Sequence, residues 1–205
     1  MASFNTLYDL VLPYLPGAEP ALVDSHIRKI ARDFLKRSTI LREQFVFETV
    51  AGVPTYELQP TAGQVSAVVA VWLPDYNHTL RVATEDRRHP EAPGQPRAWW
   101  TMVPSVLSLW PTPDSEYRVS VNAVVTTTLD TPNLPDVLVE HHAEALAAGV
   151  LSMMMAMPGK PWTQRNAAEA SGRQYAGAVR TARATVREGG QPNHSTFTAA
   201  RKFGR

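Results

Sequence analysis

The chain has 205 residues, 44% of them hydrophobic, which is enough for one sizeable core or two smaller ones. Its formal net charge of +1 excludes a global field that would pull it onto nucleic acid or an anionic membrane, so electrostatic binding must come from local clusters. Cysteine is absent, which excludes disulfides, thiol nucleophiles and cysteine-ligated metals together.

The first zone reads as helical. The start, Met1-Ala2-Ser3-Phe4-Asn5, lacks the basic and apolar regions of a secretion signal. Phe4 to Leu12 carries Phe4, Leu7, Tyr8 and Val11 at helical spacing before Pro13 and Pro16-Gly17 interrupt it. Pro20 opens a second helix with Val23, Ile27, Ile30, Ala31 and Phe34 on one face. The opposite side carries Arg28, Lys29, Arg32 and Lys36, which reads either as solvated surface or as a patch turned toward DNA.

From Arg42 to Thr128 the pattern changes to strands. Phe45, Phe47 and Thr49 alternate with Val46, Glu48 and Val50, the period of a half-buried strand. Gly52-Val53-Pro54 supplies a turn, and Thr55 to Leu58 resumes the strand. Val65 to Leu73 is almost wholly apolar and β-branched, so it is expected to be a central strand buried on both faces. Further strands are expected at Thr79–Ala83, Ala98–Met102, Val106–Trp110 and Tyr117–Val125, with most prolines between them. The sum is an antiparallel β-domain of about six or seven short strands.

The third zone returns to helices. Leu134-Pro135-Asp136 opens a long one that runs to about Met157, where Pro158-Gly159-Lys160-Pro161 ends it. Its apolar run from Ala145 to Met157 is about 13 residues, short of the roughly 20 that a membrane span needs, so the chain is expected to be soluble. Gln164 to Arg187 forms the last helix, with Ala168, Tyr175, Val179, Ala182 and Val186 as its apolar stripe. Two long helices joined by a short loop pack antiparallel. After Gly189-Gly190-Gln191-Pro192, the polar and basic stretch to Arg205 has no periodicity and is expected to be an extended arm.

The expected architecture is therefore α+β. A helical bundle of residues 1–41 and 130–187 carries an inserted antiparallel β-domain, 42–129, and the arm takes up 188–205.

Little in the chain points to catalysis. His141 and His142 lie about 100° apart on a helix and cannot share one face, and no cluster has the spacing of a zinc site. There is no G-x-S-x-G, Walker or G-x-G-x-x-G motif, so no enzyme, cofactor or metal is expected. Met153, Met154, Met155 and Met157 surround their helix, so they serve either this chain's core or a contact between subunits. Trp72, Trp99, Trp100, Trp110 and Trp162 read first as core aromatics. Arg173, Arg180, Arg183 and Arg187 gather on one side of the last helix, where DNA phosphates or an acidic partner would fit.

Across residues 4–187 the order of these parts resembles the head-to-tail adaptor (connector) proteins of tailed bacteriophages. Val50-Ala51-Gly52-Val53-Pro54-Thr55-Tyr56-Glu57-Leu58 is similar to that family's Gly-x-x-x-Tyr-x-Leu strand entry. Leu107 to Pro113, the opening at Leu134-Pro135 and the turn Pro158 to Trp162 follow in the family's order, with Tyr175 midway along the last helix. The segment Arg87 to Pro96 departs from the generic pattern.

The resemblance implies a structural virion protein at the head–tail junction, assembled in the host bacterial cytoplasm. It would form a twelve-subunit ring, bind the portal above and tail or nozzle proteins below, and let double-stranded DNA pass through. It also implies that the C-terminal arm grips the portal, a role that Phe197, Arg201, Lys202, Phe203 and Arg205 match in kind. Two other readings stand beside it: a tail-tube or tail-completion ring, and a soluble β-module binding a glycan or nucleotide. No membrane partner is expected.

Overall fold

A computed structural model describes residues 4–83, 92–131, 133–187 and 189. The arm residues Phe197, Arg201, Lys202, Phe203 and Arg205, and 87–91 of the proline-rich segment, lie outside the described residues.

Helix α1 (Asn5–Val11) buries Leu7 and Val11 and passes into a 3₁₀ turn at Leu12–Tyr14. Helix α2 (Pro20–Ser38) begins on Pro20, whose missing N–H costs nothing at a first turn. Its buried stripe, Val23, Ile27, Ile30, Ala31 and Phe34, is the one read from the sequence, with Leu35 added. The helix stops at Thr39, which takes a left-handed conformation (φ 59°) and gives its N–H to the Leu35 carbonyl at 3.0 Å.

Eight strands follow: β1 (Arg42–Glu48), β2 (Thr55–Glu57), β3 (Gln64–Leu73), β4 (His78–Thr79), β5 (Arg81–Val82), β6 (Ala98–Thr101), β7 (Val106–Trp110) and β8 (Arg118–Thr126). They form two four-stranded sheets, ordered β1-β8-β3-β4 and β2-β7-β6-β5. Val71, Leu73, Val119, Val121 and Ala123 from one sheet meet Trp99, Leu107 and Leu109 from the other in a second core.

Two expectations are corrected here. Strand β3 is not buried on both faces: Ala67 and Val69 are exposed, and the strand alternates. The doubly covered strand is β8, which lies between β1 and β3 and is overlaid by α2. The β-domain is also not wholly antiparallel, since β5 and β6 pair in parallel, Arg81 with Ala98 and Val82 with Trp99. Hydropathy identifies a strand but not which strand a helix will cover.

Helix α3 (Asp136–Met154) and helix α4 (Arg165–Arg187) complete a bundle with α1 and α2. Phe34, Leu138, Leu146, Val150, Met154 and Tyr175 are among the residues of this helical core. The β-lobe is thus inserted between α2 and α3. The fully buried Phe34 ring lies 4.8 Å from the His142 ring and 6.1 Å from the Tyr175 ring, measured between centroids.

Two phenols tie the helices together. Tyr8 donates to the Asp24 carboxylate, joining α1 to α2, and Tyr175 donates to Asp33 Oδ2 at 2.8 Å, joining α4 to α2. Tyr8 is pushed up to about 12 from 10.0, by burial first and then by Asp24. Burial and then Asp33 push Tyr175 up as well. The unfolded chain therefore loses these protons before the folded one does. Their contribution to stability is whole below about pH 10 and declines as pH rises toward 12. Thermal unfolding across that window should show a falling Tm, with a shallower fall in Tyr8→Phe. An identical fall in that variant would remove Tyr8 from the effect.

Candidate functional site

The exposed surface of the helical bundle carries its charge unevenly. Arg173, Arg180, Arg183 and Arg187 are all exposed on α4, and no ion pair involves them among the described residues. Arg173, Arg180 and Arg187 repeat at seven-residue intervals and so lie along one flank of the helix. On the other flank, α4 and the first half of α3, with Leu10 and Ile40, line an open groove of about 730 Å³. Ala143, Ala178 and Ala182 line it with small apolar surface, and Glu140 and Glu144 supply carboxylates at its α3 edge.

Helix α3 is broken at His142, whose φ of −133° and ψ of 15° are not helical. The half-buried His142 ring turns onto Phe34, whereas His141 stays exposed. Burial, then the neighbouring His141, lowers the His142 pKa below its usual 6.5. Both histidines nevertheless line the groove between α3 and α4, because the break at His142 releases the pair from regular helical spacing. Among the described residues no three histidine or acidic side chains are placed to hold a metal.

A second cleft, about 920 Å³, opens between α2 and the β-lobe. Lys29, Arg32 and Lys36 line its helical side, and Leu58, Val65 and Val103 are among its β-lobe lining. Arg28, read with them as one basic face, is engaged elsewhere: its Nε donates to the Thr131 carbonyl at 3.1 Å, and its guanidinium lies over Phe4.

The methionines divide. Met154 and Met155 are buried in the chain's own helical core, Met153 is 42% exposed, and Met157 is half-buried in the turn after α3. The β-lobe presents an apolar patch that the sequence reading missed. Met102, at 85% exposure, and Val82, at 65%, border a hollow with Trp99, Trp100 and Pro104. The signal available was a methionine and valine at a predicted strand end, directly before Pro104.

These helices and sheets fall within the span of a family match. The SU10 adaptor protein family matches residues 4–196. The chain belongs to that family.

The family is structural, with a role as a phage head–tail adaptor, and no catalytic family is indicated. No curated protein matches the chain. Among the described residues, no helix of this adaptor is long and apolar enough to cross a membrane.

The Gly-x-x-x-Tyr-x-Leu entry serves the adaptor's structure. Gly52 turns at φ +80°, where a side chain would be strained, and the Tyr56 hydroxyl closes the turn by donating to the Val53 carbonyl at 2.7 Å. The Tyr56 ring stacks on Phe47 at 4.9 Å, and Leu58 is buried in the β-core. The tryptophans are structural to differing degrees. Trp99 and Trp162 are buried, Trp72, Trp100 and Trp110 half-buried, and Trp162 Nε1 donates to the Met154 carbonyl at 3.2 Å, sealing the end of α3.

Proposed function

We propose that this adaptor forms a ring beneath the portal at the head–tail junction of the virion and continues the DNA channel toward the tail. The observation that carries the reading is the extent of the family match, which takes in both helical zones and the whole β-lobe. The ring is assembled in the host cytoplasm from identical subunits, twelve by resemblance, and it acts by mechanical continuity rather than by bond-breaking chemistry. Many equal contacts around a ring give avidity that a single subunit lacks.

In this reading the bundle, residues 1–41 and 130–187, builds the ring. The β-domain, 42–129, is the platform for tail or nozzle proteins. Its exposed Met102 and Val82 support that role, because an apolar patch rimmed by polar surface suits a protein partner. Met153 and Met157 lie near the helical surface, where flexible thioethers fill irregular gaps between subunits. Residues 188–205 grip the portal, with Phe197 and Phe203 as anchors and Arg201, Lys202 and Arg205 for an acidic groove.

The test compares the full chain with one ending at Arg187, each mixed with a portal ring and weighed by native mass spectrometry. Full-length adaptor should add many subunit masses to the portal, and the shortened chain should bind at least tenfold more weakly. Undiminished binding by the shortened chain would dismiss the arm while leaving the ring in place.

A further inference from the structure

We infer that the ring closes through one heterologous contact, in which the arginine flank of α4 on each subunit enters the α3–α4 groove of the next copy. This rests on the ring reading above and names the surfaces that make it. Three observations carry it.

The first is charge. The groove is edged by Glu140 and Glu144, and its lining contains no lysine or arginine. The opposite flank carries Arg173, Arg180, Arg183 and Arg187, all exposed, and Glu169 is the one acidic residue of α4. Neither set has an ion pair within its own subunit among the described residues, so both are free to meet a partner.

The second is placement. Counted at 3.6 residues per turn, the mean direction of Arg173, Arg180, Arg183 and Arg187 lies about 145° around α4 from that of Gln174, Ala178, Thr181 and Thr185, which line the groove. A ring of many subunits turns little from one copy to the next, so its two complementary patches must lie on nearly opposite flanks. Patches on one flank would instead give a closed pair. Both patches also occupy the same stretch of α4, the groove from Gln174 to Val186 and the arginines from Arg173 to Arg187. With α4 upright along the ring axis, neighbouring subunits then meet level, without the rise that would make a filament.

The third is surface type. Ala143, Ala178 and Ala182 give the groove a small-residue floor that lets another helix approach closely. The aliphatic stems of arginine can lie on such a floor while their guanidinium groups reach the carboxylates at the edge. Duplex DNA would take the arginines but has nothing to offer a groove edged with carboxylates. A second copy satisfies both faces at once.

The experiment uses charge reversal on the full chain, weighed by native mass spectrometry with and without a portal ring. Arg180→Glu with Arg183→Glu should reduce the assembly to single chains, and Glu140→Arg with Glu144→Arg should do the same. The chain carrying all four changes should recover the ring, because each interface again pairs opposite charges. Circular dichroism on each variant checks that the helices are intact; the substituted side chains are exposed. A ring that forms normally with Arg180 and Arg183 reversed would overturn this interface and leave the ring reading standing. So would failure of the four-fold variant to assemble while folded. Wild-type adaptor that stays a single chain, even on the portal, would overturn the ring reading and this contact with it.

Discussion

Phe34→Ala should lower the free energy of unfolding by about 3–5 kcal/mol, the usual cost of removing a fully buried phenylalanine. Phe34 lies on α2 at the meeting point of three helices, with His142 of α3 and Tyr175 of α4 against its ring. Its removal leaves a gap that three separate elements would have to close together, which argues for the upper part of that range. Urea unfolding should shift to a lower midpoint with little change in the denaturant slope. A loss below about 1 kcal/mol would mean that the helices relax into the space and that Phe34 is not where they are held.

Gly149→Val should cost about 1–3 kcal/mol by overpacking. An added Cβ at Gly149 would lie 2.7 Å from Ile30 Cγ2 and 2.9 Å from Tyr175 Cδ2, so α2, α3 and α4 approach one another over a missing side chain. A glycine inside a helix forfeits roughly 1 kcal/mol relative to alanine, and here the close approach offsets that loss. Gly177 on α4 is the internal comparison, because a Cβ there meets nothing within 4 Å. Gly177→Ala should therefore stabilise the chain by about 0.5–1 kcal/mol. Opposite signs in thermal unfolding at the two glycines would support the packing; the same sign at both would contradict it.

Much of the fold was legible because its signals are local. The stripe from Val23 to Phe34 and the stripe from Ala168 to Ala182 are both buried as their periodicity requires. The expected helix over Phe4–Leu12 is observed at Asn5–Val11, and the one expected from Gln164 starts at Arg165. Pairing between strands was not legible, because it joins residues far apart in sequence. Nothing near Arg81 announces that it will run parallel to Ala98, and nothing within β8 announces that α2 will lie across it. Three consecutive methionines point in three directions, so composition placed them around α3 without saying that Met154 and Met155 turn inward.

The surfaces were legible in part. The arginines on one flank of α4 follow from spacing alone, seven residues for Arg173, Arg180 and Arg187 and three from Arg180 to Arg183, because a single helix sets their relation. The groove on the opposite flank needed tertiary structure, since Glu140 and Gln174 line one groove only once α4 packs on α3. Met102 and Val82 belong to the same class of surprise. Each is unremarkable in its own strand, and together they form a patch because β5 and β6 pair side by side.

The insertion of the sheets between α2 and α3 also sets an order on synthesis. Tyr175 reaches Asp33 across 142 positions of sequence, so α4 must leave the ribosome before this tie to α2 can form. A nascent chain can pair its strands early, but it carries an open apolar seam along α2 until α3 and α4 have both been made. Chains that stop before α4 leave the α4 side of that seam unsealed. The helical core is in this way finished only when segments far apart in the chain have met.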